Sequence, residues 1–568
     1  MALIRDKNGS GRLQLSLTRI SVLWFVVIVC FGFIITRLLW IQILHPEALI
    51  AEGNARVVRN YHYEPPRGLI TDRNGKILAI SVPVKTVAAD PKGLHEDGTY
   101  DDKNKMAKIA SILEIDVSKL YKSAKDPKKR YVHLKNYLSP DKAPLLKKIT
   151  KNGLVFNDSY LRHYPTGEVN ANLVGLLNGE GVGVYGVEQS FNSYLTSTSS
   201  TILAKKDRYD RIVENTGTVK KGSLGGNIIL SIDNRLQTYA YQMLKKAVEE
   251  NKADSGTAVL MDVKTGEILA LANAPSFDPN DRRHFDSANA KNRAATDIFE
   301  PGSTMKPIVA LAALEAKSTN WSEVFDTRPF IVDRKMVRDS HAMSQGTLLD
   351  IIQYSSNTGM ARISMRLGPH KILQVLQRFG FGAKTRSGLV GESEGRLNAN
   401  RSFWSEIDKA TLGFGYGVAV TNLQLTSAYS TLANGGMKVP VSILRLSKAP
   451  KAELVADPKQ VRKMLVALET VVSEGTGGKA AIDRYRVAGK TGTAKIASVG
   501  GYGKFYMSTF AGFAPISNPR FALVVVISAP KAGKFHGGVV SGPVFREVME
   551  RALQQFNVKP DRELVEKK

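Results

Sequence analysis

A chain of 568 residues with 43% hydrophobic and 23% charged side chains is long enough for about three or four structural units with sizeable cores. A single cysteine, Cys30, excludes an intrachain disulfide, and nine scattered histidines show no metal-ligand spacing. The formal net charge of +27 favours anionic partners, whether nucleic acid, an anionic membrane surface or an acidic polymer.

Residues 20–35 carry no charge, and with the stretch up to 44 they reach the roughly 20 apolar residues a membrane span needs, provided that Arg37 snorkels to an interface. Cys30 inside this run reads as a small apolar residue facing lipid or a partner helix. Arg5, Lys7, Arg12 and Arg19 precede the run against one Asp6, so the positive-inside rule puts residues 1–19 in the cytoplasm and everything after residue 44 on the far side. The run is long for a signal peptide and no A-x-A site follows it, which favours an uncleaved anchor. Placement outside the cytoplasm also argues against nucleic acid as the partner of the positive charge.

Further along, residues 67–79 read as a hairpin in which Asn74-Gly75 supplies a type I′ turn. Residues 100–150 are lysine-rich with helical apolar spacing in places, which reads as a solvated helical insertion. The glycines of 181–186 match G-x-G-x-x-G, but no parallel-sheet pattern surrounds them, so a glycine-rich turn is the reading, with Glu188 beyond it capping or salt-bridging nearby. A Ser/Thr-rich loop follows at 196–200. Asp233 is placed to cap a helix with Leu236, Tyr239, Met243 and Leu244 on one face. Residues 256–273 read as two strands around a tight turn, 304–475 as mostly helical, and 486–528 as returning strands, with a last helix starting near Pro543. Strands at both ends of a helical region predict one antiparallel sheet closed by the two ends. The organisation read from this is an N-terminal module at 50–225 and a second domain at 230–560.

Three short motifs in that second domain carry chemistry. Ser303 and Lys306 are three apart, on one face of a helix, and Pro307 requires the helix to begin close to Ser303. Ser303 then sits at the positive end of the helix dipole, where an oxyanion is stabilised, and Lys306 can take its proton if burial depresses the lysine. Alone the spacing is weak: Ser139…Lys142 and Ser528…Lys531 share it, each with an intervening proline, and both read as loops. Ser355 and Asn357 lie between two apolar-periodic segments, at a helix–helix turn that can aim a hydroxyl and an amide into one cleft. Helix capping explains such residues just as well, and Ser287-Ala288-Asn289 repeats the spacing. Lys490-Thr491-Gly492-Thr493 lies in a strand, with Lys490 and Gly492 on one face; an edge strand here could pair with an extended substrate. Gly492 would allow another backbone or a ligand to approach. Lys264-Thr265-Gly266 is a decoy in a hairpin turn. In this order within one domain, S-x-x-K, S-x-N and K-T-G form the set found in penicillin-binding proteins and class A β-lactamases.

With RGLITDRNG at 67–75, RHYPTGEV at 162–169, FEPGSTMKP at 299–307, SSNTG at 355–359, GFGYG at 413–417, VAGKTGTA at 487–494 and FAGFAP at 510–515, the chain from about 55 onward resembles the class B penicillin-binding proteins. It is most similar to their division-specific (septal) peptidoglycan D,D-transpeptidases of Gram-negative bacteria. The resemblance implies an α+β fold: a penicillin-binding/β-lactamase-like transpeptidase domain, an antiparallel sheet with helices on both faces. An elongated α+β N-terminal module, non-catalytic, and one transmembrane helix precede it. It implies Ser303 as nucleophile on the penultimate D-alanine of a stem peptide, Lys306 as general base, Ser355 as proton relay, and Asn357 and Lys490 as supporting groups. Thr491, Gly492 and Thr493 fall to substrate binding, the backbone N–H groups of Ser303 and Thr493 to the oxyanion hole, and no metal or cofactor is implied. The implied partners are peptidoglycan stem peptides and glycan strands, β-lactams, a membrane crossed once, a polytopic glycan polymerase and other division proteins. Phe535-His536-Gly537-Gly538 departs from the family pattern, which has an aromatic residue directly before the glycines. Elongation-specific relatives often carry an acidic residue in place of Asn357, which tilts the reading to division. The alternatives are an elongation-specific transpeptidase, a β-lactamase or β-lactam sensor of the same fold, and a non-enzymatic scaffold role for the N-terminal module.

Overall fold

In the computed structural model, which describes residues 17–44, 46–63, 65–206, 212–498 and 501–562, the uncharged run lies in a helix Leu17–Leu39 that widens into a π-turn over Trp40–Leu44. Those 28 residues form the one helix among the described residues that is long and apolar enough to cross a membrane. The Arg37 guanidinium lies 4.4 Å from the Trp40 ring centre, a contact suited to an interface. Arg5, Lys7 and Arg12, on which the orientation rests, lie outside the described residues.

The chain divides into two compact units. One comprises Met1–Pro65 and Ser197–Leu224: the apolar helix, a second helix Pro46–Val57, and a three-stranded antiparallel sheet with Ser200–Lys206 between Val58–Tyr63 and Ile212–Lys220. The other comprises Pro66–Thr196 and Gly225–Lys568 and carries every candidate site residue.

In the second unit the hairpin at 67–79 forms, but not through a type I′ turn. Gly75 alone is left-handed, at φ 83°, and Asn74 is not. The cause is Asp72, whose Oδ1 accepts the N–H groups of Asn74 and Lys76, both at 2.8 Å, and so winds the turn as an Asx turn. Residues 100–150 are likewise not simply a helical insertion. The strand Val132–Leu138 within them pairs with Ile77–Ala89, and Met106, Ile109, Leu113, Leu120, Leu134 and Leu146 build a buried core. The solvated lysines are the outer face of a folded layer. The glycine-rich 181–186 is a turn leading into the short helix Gly186–Ser190.

Glu188 on that helix holds this region together. Its fully buried carboxylate receives Arg67 Nε and Arg162 Nε, each at 2.7 Å, and so ties the start of the RGLITDRNG segment to the strand Leu154–His163. Removing the carboxylate leaves two buried guanidinium charges uncompensated. Glu188→Gln is therefore expected to cost about 3 kcal/mol of stability, read as a drop in denaturant midpoint at unchanged slope.

The C-terminal part of this unit begins with α1 (Asn234–Glu250), whose first turn is capped by Asp233 Oδ1, accepting Arg235 N–H at 3.0 Å and Leu236 N–H at 3.4 Å. Its buried face is Leu236, Ala240, Leu244, Ala247 and Val248; Tyr239 and Met243 are only half-buried because the 3.6-residue period turns them to the edge of the stripe. Strands β1 (Ser255–Asp262) and β2 (Ile268–Ala274) follow, then α2 (Lys306–Glu315), α3 (Leu348–Gln353), α4 (Asn357–Leu367), α5 (Asn422–Ala433) and α6 (Pro458–Ser473). The chain closes with β3 (Ala488–Ser498), β4 (Gly501–Ala514), β5 (Phe521–Ser528) and α7 (Gly542–Gln555).

The five strands form one antiparallel sheet in the order β2-β1-β5-β4-β3. β5 is central, which explains its unbroken apolar sequence: Phe521, Leu523, Val525 and Ile527 pack towards α1 and α7, while Ala522, Val524 and Val526 pack towards α2 and α5. Helices thus cover both faces, as expected, and β3 is left as an edge. Of the two decoy serines, Ser528 is not in a loop but ends β5, and Ser139 sits in the turn that starts the helix Lys142–Ile149.

Candidate active site

The nucleophile candidate is placed by a short 3-10 turn, Gly302–Met305, that runs directly into α2 with Pro307 at its start. A proline there removes no needed N–H and sets φ for the helix. The turn is fixed from three sides. Glu300 Oε1 accepts the Gly417 N–H at 2.9 Å, Thr304 Oγ1 donates to Pro301 O at 2.7 Å, and the fully buried Tyr429 hydroxyl donates to Thr304 O at 2.8 Å. Gly415 approaches so closely that a Cβ on it would lie 2.2 Å from Gly302 O. Ser303 itself is half-buried, and its hydroxyl has no hydrogen-bond partner among the described residues.

The edge strand β3 lies against this turn with alternate residues. Lys490 is fully buried. A Cβ on Gly492 would stand 2.9 Å from Pro301 O and 2.9 Å from Thr304 Cγ2, so the backbone that needs the missing side chain is that of the nucleophile turn. Ala494 meets Gly302. On the opposite face Thr491 Oγ1 lies 2.8 Å from Thr476 Oγ1, and Thr493 Oγ1 accepts the Gly537 N–H at 3.1 Å.

The third element is the bend between α3 and α4. Ser355 occupies it in the left-handed region, φ 61°, unusual for a non-glycine residue and costing of order 1–3 kcal/mol. The helix cap is Ser356, whose Oγ accepts the Gly359 N–H at 3.0 Å, and this frees Ser355 and Asn357 for the cleft. Both turn to Lys306. Its Nζ donates to Ser355 O at 2.6 Å, to Asn357 Oδ1 at 2.8 Å and to Ser355 Oγ at 3.2 Å.

Two fully buried lysines at one site set its electrostatics. Burial, then the neighbouring Lys490, push Lys306 well below its ordinary value, while Asp339 pulls the other way. Burial alone brings Lys490 down to about 7. A neutral Lys306 can donate to the two carbonyl-type oxygens and turn its lone pair to a hydroxyl, which is what a general base requires. The arrangement suits acyl transfer: a free hydroxyl at a helix start, a buried amine three residues on, a hydroxyl and an amide oriented on that amine, and a strand edge against the turn.

Beside Asn357 opens a cleft of about 510 Å³, walled by Met336, Arg338, Phe414, Tyr416 and Tyr502. A larger groove of about 680 Å³ between α1 and α7 holds none of these chemical groups, so volume alone would misplace the site. In the segment before Gly537, where His536 directly precedes the glycines, Phe535 stacks on Tyr506 of β4, ring centres 4.3 Å apart.

The structure brings the Ser303 turn, Lys306, Ser355, Asn357, Lys490 and Gly492 together, while the side chains of Thr491 and Thr493 lie on the other face of β3, against Thr476 and Gly537. Sequence reasoning did not single out Ser356, Tyr429, Thr476 or Asp339. Only the glycine spacing of 413–417 offered a local signal of a close approach; the other contacts join residues distant along the chain.

Residues 256–550 match the penicillin binding protein transpeptidase domain, and residues 62–230 the penicillin-binding protein dimerisation domain. The chain is 40% identical over 548 residues to peptidoglycan D,D-transpeptidase FtsI of Escherichia coli K12, covering 96% of this chain and 92% of that protein. It is 35% identical over 552 residues to the probable peptidoglycan D,D-transpeptidase PenA of Neisseria gonorrhoeae, covering 96% and 94%. Among solved structures, penicillin binding protein 3 of Mycobacterium tuberculosis complexed with aztreonam superposes with a TM-score of 0.67 at 26% identity, covering 89% of this chain and 99% of that one. A peptidoglycan synthetase from Bifidobacterium adolescentis gives 0.70 at 26% identity, covering 89% and 98%.

Proposed function

The chain belongs to the class B penicillin-binding proteins, and from that premise we propose how this septal-type peptidoglycan D,D-transpeptidase, a β-lactam target, divides its chemistry among its residues. Ser303 Oγ bonds to the carbonyl carbon of the penultimate D-alanine of a stem peptide while Lys306 Nζ takes the hydroxyl proton. The bond to the terminal D-alanine breaks, and Ser355 passes a proton to the leaving amine. An amine from a neighbouring stem peptide then attacks the ester, forms the cross-linking amide and returns Ser303 to its hydroxyl. Asn357 holds Lys306 and the substrate amide. Lys490 supports Ser355 and supplies the field that attracts the terminal carboxylate, with Thr491 and Thr493 as its hydrogen-bonding hydroxyls. The Ser303 and Thr493 N–H groups stabilise the oxyanion, and the free edge of β3, at Gly492, pairs with the extended peptide.

The observation that carries this reading is the buried Lys306 amine held by Ser355 and Asn357, one helical turn from a free Ser303 hydroxyl. Mass spectrometry after exposure to benzylpenicillin is expected to place a long-lived adduct on the peptide bearing Ser303. An adduct on another serine overturns the site, and hydrolysis within seconds makes the protein a β-lactamase instead.

The domain reading is residues 1–19 as a cytoplasmic tail, 20–44 as the anchor, 50–225 as the non-catalytic module and 230–560 as the transpeptidase domain. Four basic residues ahead of the uncharged run that starts at Ile20, against one Asp6, support an inner-membrane protein with its catalytic domain in the periplasm, at the division septum. Its protein partners there are a polytopic glycan polymerase and other division proteins. Alkaline phosphatase fused at the C-terminus is expected to be active; an inactive fusion reverses the topology.

A further inference from the structure

The hairpin Phe330–Val332/Lys335–Val337 turns through Asp333 and Arg334, both left-handed at φ 44° and 63°, the geometry of a type I′ turn. It is seated on α4: Val332 and Val337 are buried with Ala361 and Phe414, and the Arg362 guanidinium lies 4.0 Å from the Phe330 ring centre. Its exit strand delivers Arg338 and Asp339 to the bend that carries Ser355 and Asn357.

There the Asp339 carboxylate gathers the whole first turn of α4. Oδ1 accepts the Asn357 N–H at 2.5 Å and the Thr358 N–H at 2.9 Å; Oδ2 accepts from Ser356 Oγ at 2.6 Å. Thr358 Oγ1 lies 2.8 Å from Oδ2 and 2.8 Å from Thr327 O, sharing its one proton between them. Arg338 O accepts from Asn357 Nδ2 at 3.1 Å, which leaves Asn357 Oδ1 turned to Lys306. A strained Ser355 persists only where its surroundings over-determine it, and Asp339 binds the three residues that follow it. Asp339 touches neither Ser303 nor the open cleft.

We propose that Asp339 is a positioning residue for acylation: its carboxylate clamps the Ser356–Thr358 turn, and so aligns Ser355 and Asn357 on Lys306, while its charge faces that lysine. The proposal rests on Ser303 being the nucleophile. The charged groups facing Lys306 are Lys490 from β3 and Asp339 from the hairpin exit; His341, two residues on, is stacked on Tyr354, ring centres 5.1 Å apart.

The test is the second-order rate of Ser303 acylation by a fluorescent penicillin against pH, with the adduct mapped in the same samples. Misplacing a reacting group by about 1 Å costs about 100-fold, and Asp339→Asn is expected to lose that much. Its acid limb should also move to lower pH, because the one negative charge that favours the protonated form of Lys306 is gone. Thr358→Val, which keeps the charge, should lose less and leave the limb in place. If Asp339→Asn does not fold, Ser356→Ala/Thr358→Val reads the same clamp and should lose at least about tenfold without moving the limb. A wild-type rate in either clamp variant, or a slowed Asp339→Asn with an unmoved limb, overturns the proposal alone. A wild-type adduct away from Ser303 overturns the nucleophile reading and this proposal with it.

Discussion

Ser303→Ala is expected to abolish covalent labelling by penicillin and to lower D,D-transpeptidation by about 10⁶-fold, the order seen when a serine acyl-transfer nucleophile is deleted. The fold should survive. Ser303 is half-buried and its hydroxyl has no partner among the described residues, so its loss leaves no buried acceptor unpaired. The turn stays anchored through Glu300, Thr304 and Tyr429. Ser355→Ala provides the contrast. It removes a proton relay and one contact of Lys306 but no nucleophile, so a slower adduct should still form on Ser303, by about 10²–10⁴-fold. Full labelling of Ser303→Ala would dismiss the site, and full support of cell division by an unlabelled Ser303→Ala protein would make the chain a scaffold.

What the sequence could and could not disclose follows from the range of the interactions. The apolar run of β5, the Asp233 cap and the proline after Ser303 act within a few residues, and each was legible. The motifs that hold Ser303, Lys306, Ser355, Asn357 and Lys490 are local spacings as well, but each is weak alone, and it was their order within one domain that drew them together. The Asn74-Gly75 turn was misjudged for a local reason, the competing Asp72 side chain. The lysine-rich segment was misjudged for a non-local one, since a strand is recognised by its partner, and Val132–Leu138 finds that partner more than 40 residues upstream in Ile77–Ala89. The bend at Ser355 was legible as a helix–helix turn, but what holds it was not. The three residues after Ser355 are tied to the Asp339 carboxylate, 16 positions before Ser355, and Gly492 is required by a turn nearly 200 positions away. Most of all, no spacing reveals that two lysines are fully buried, which is what makes the site chemically active.

That burial yields the second large prediction: Lys490→Met should stabilise the protein while disabling it. Lys490 titrates at about 7 in the folded chain, against 10.5 for an ordinary lysine. Between those values the unfolded chain binds the proton and the folded chain does not, so stability rises with pH across the window; below pH 7 the full penalty of burying the cation is present. A shift of that size corresponds to roughly 5 kcal/mol, reduced to roughly 2–5 kcal/mol by imperfect packing of the methionine. The gain should be largest near pH 6, shrink by pH 9 and vanish towards pH 10.5, as measured by calorimetry across that range. A gain that grows with pH contradicts the assignment. Acylation of Ser303 should meanwhile fall by about 10²–10⁴-fold. Lys490 is also the charge that lowers Lys306, so its removal lets Lys306 hold its proton more tightly, and the acid limb of acylation moves to higher pH. Asp339→Asn moves the same limb the opposite way. Two substitutions of opposite charge, on different elements and neither of them the base, should therefore shift one titration in opposite directions, which singles out Lys306 as the group whose protonation gates the attack.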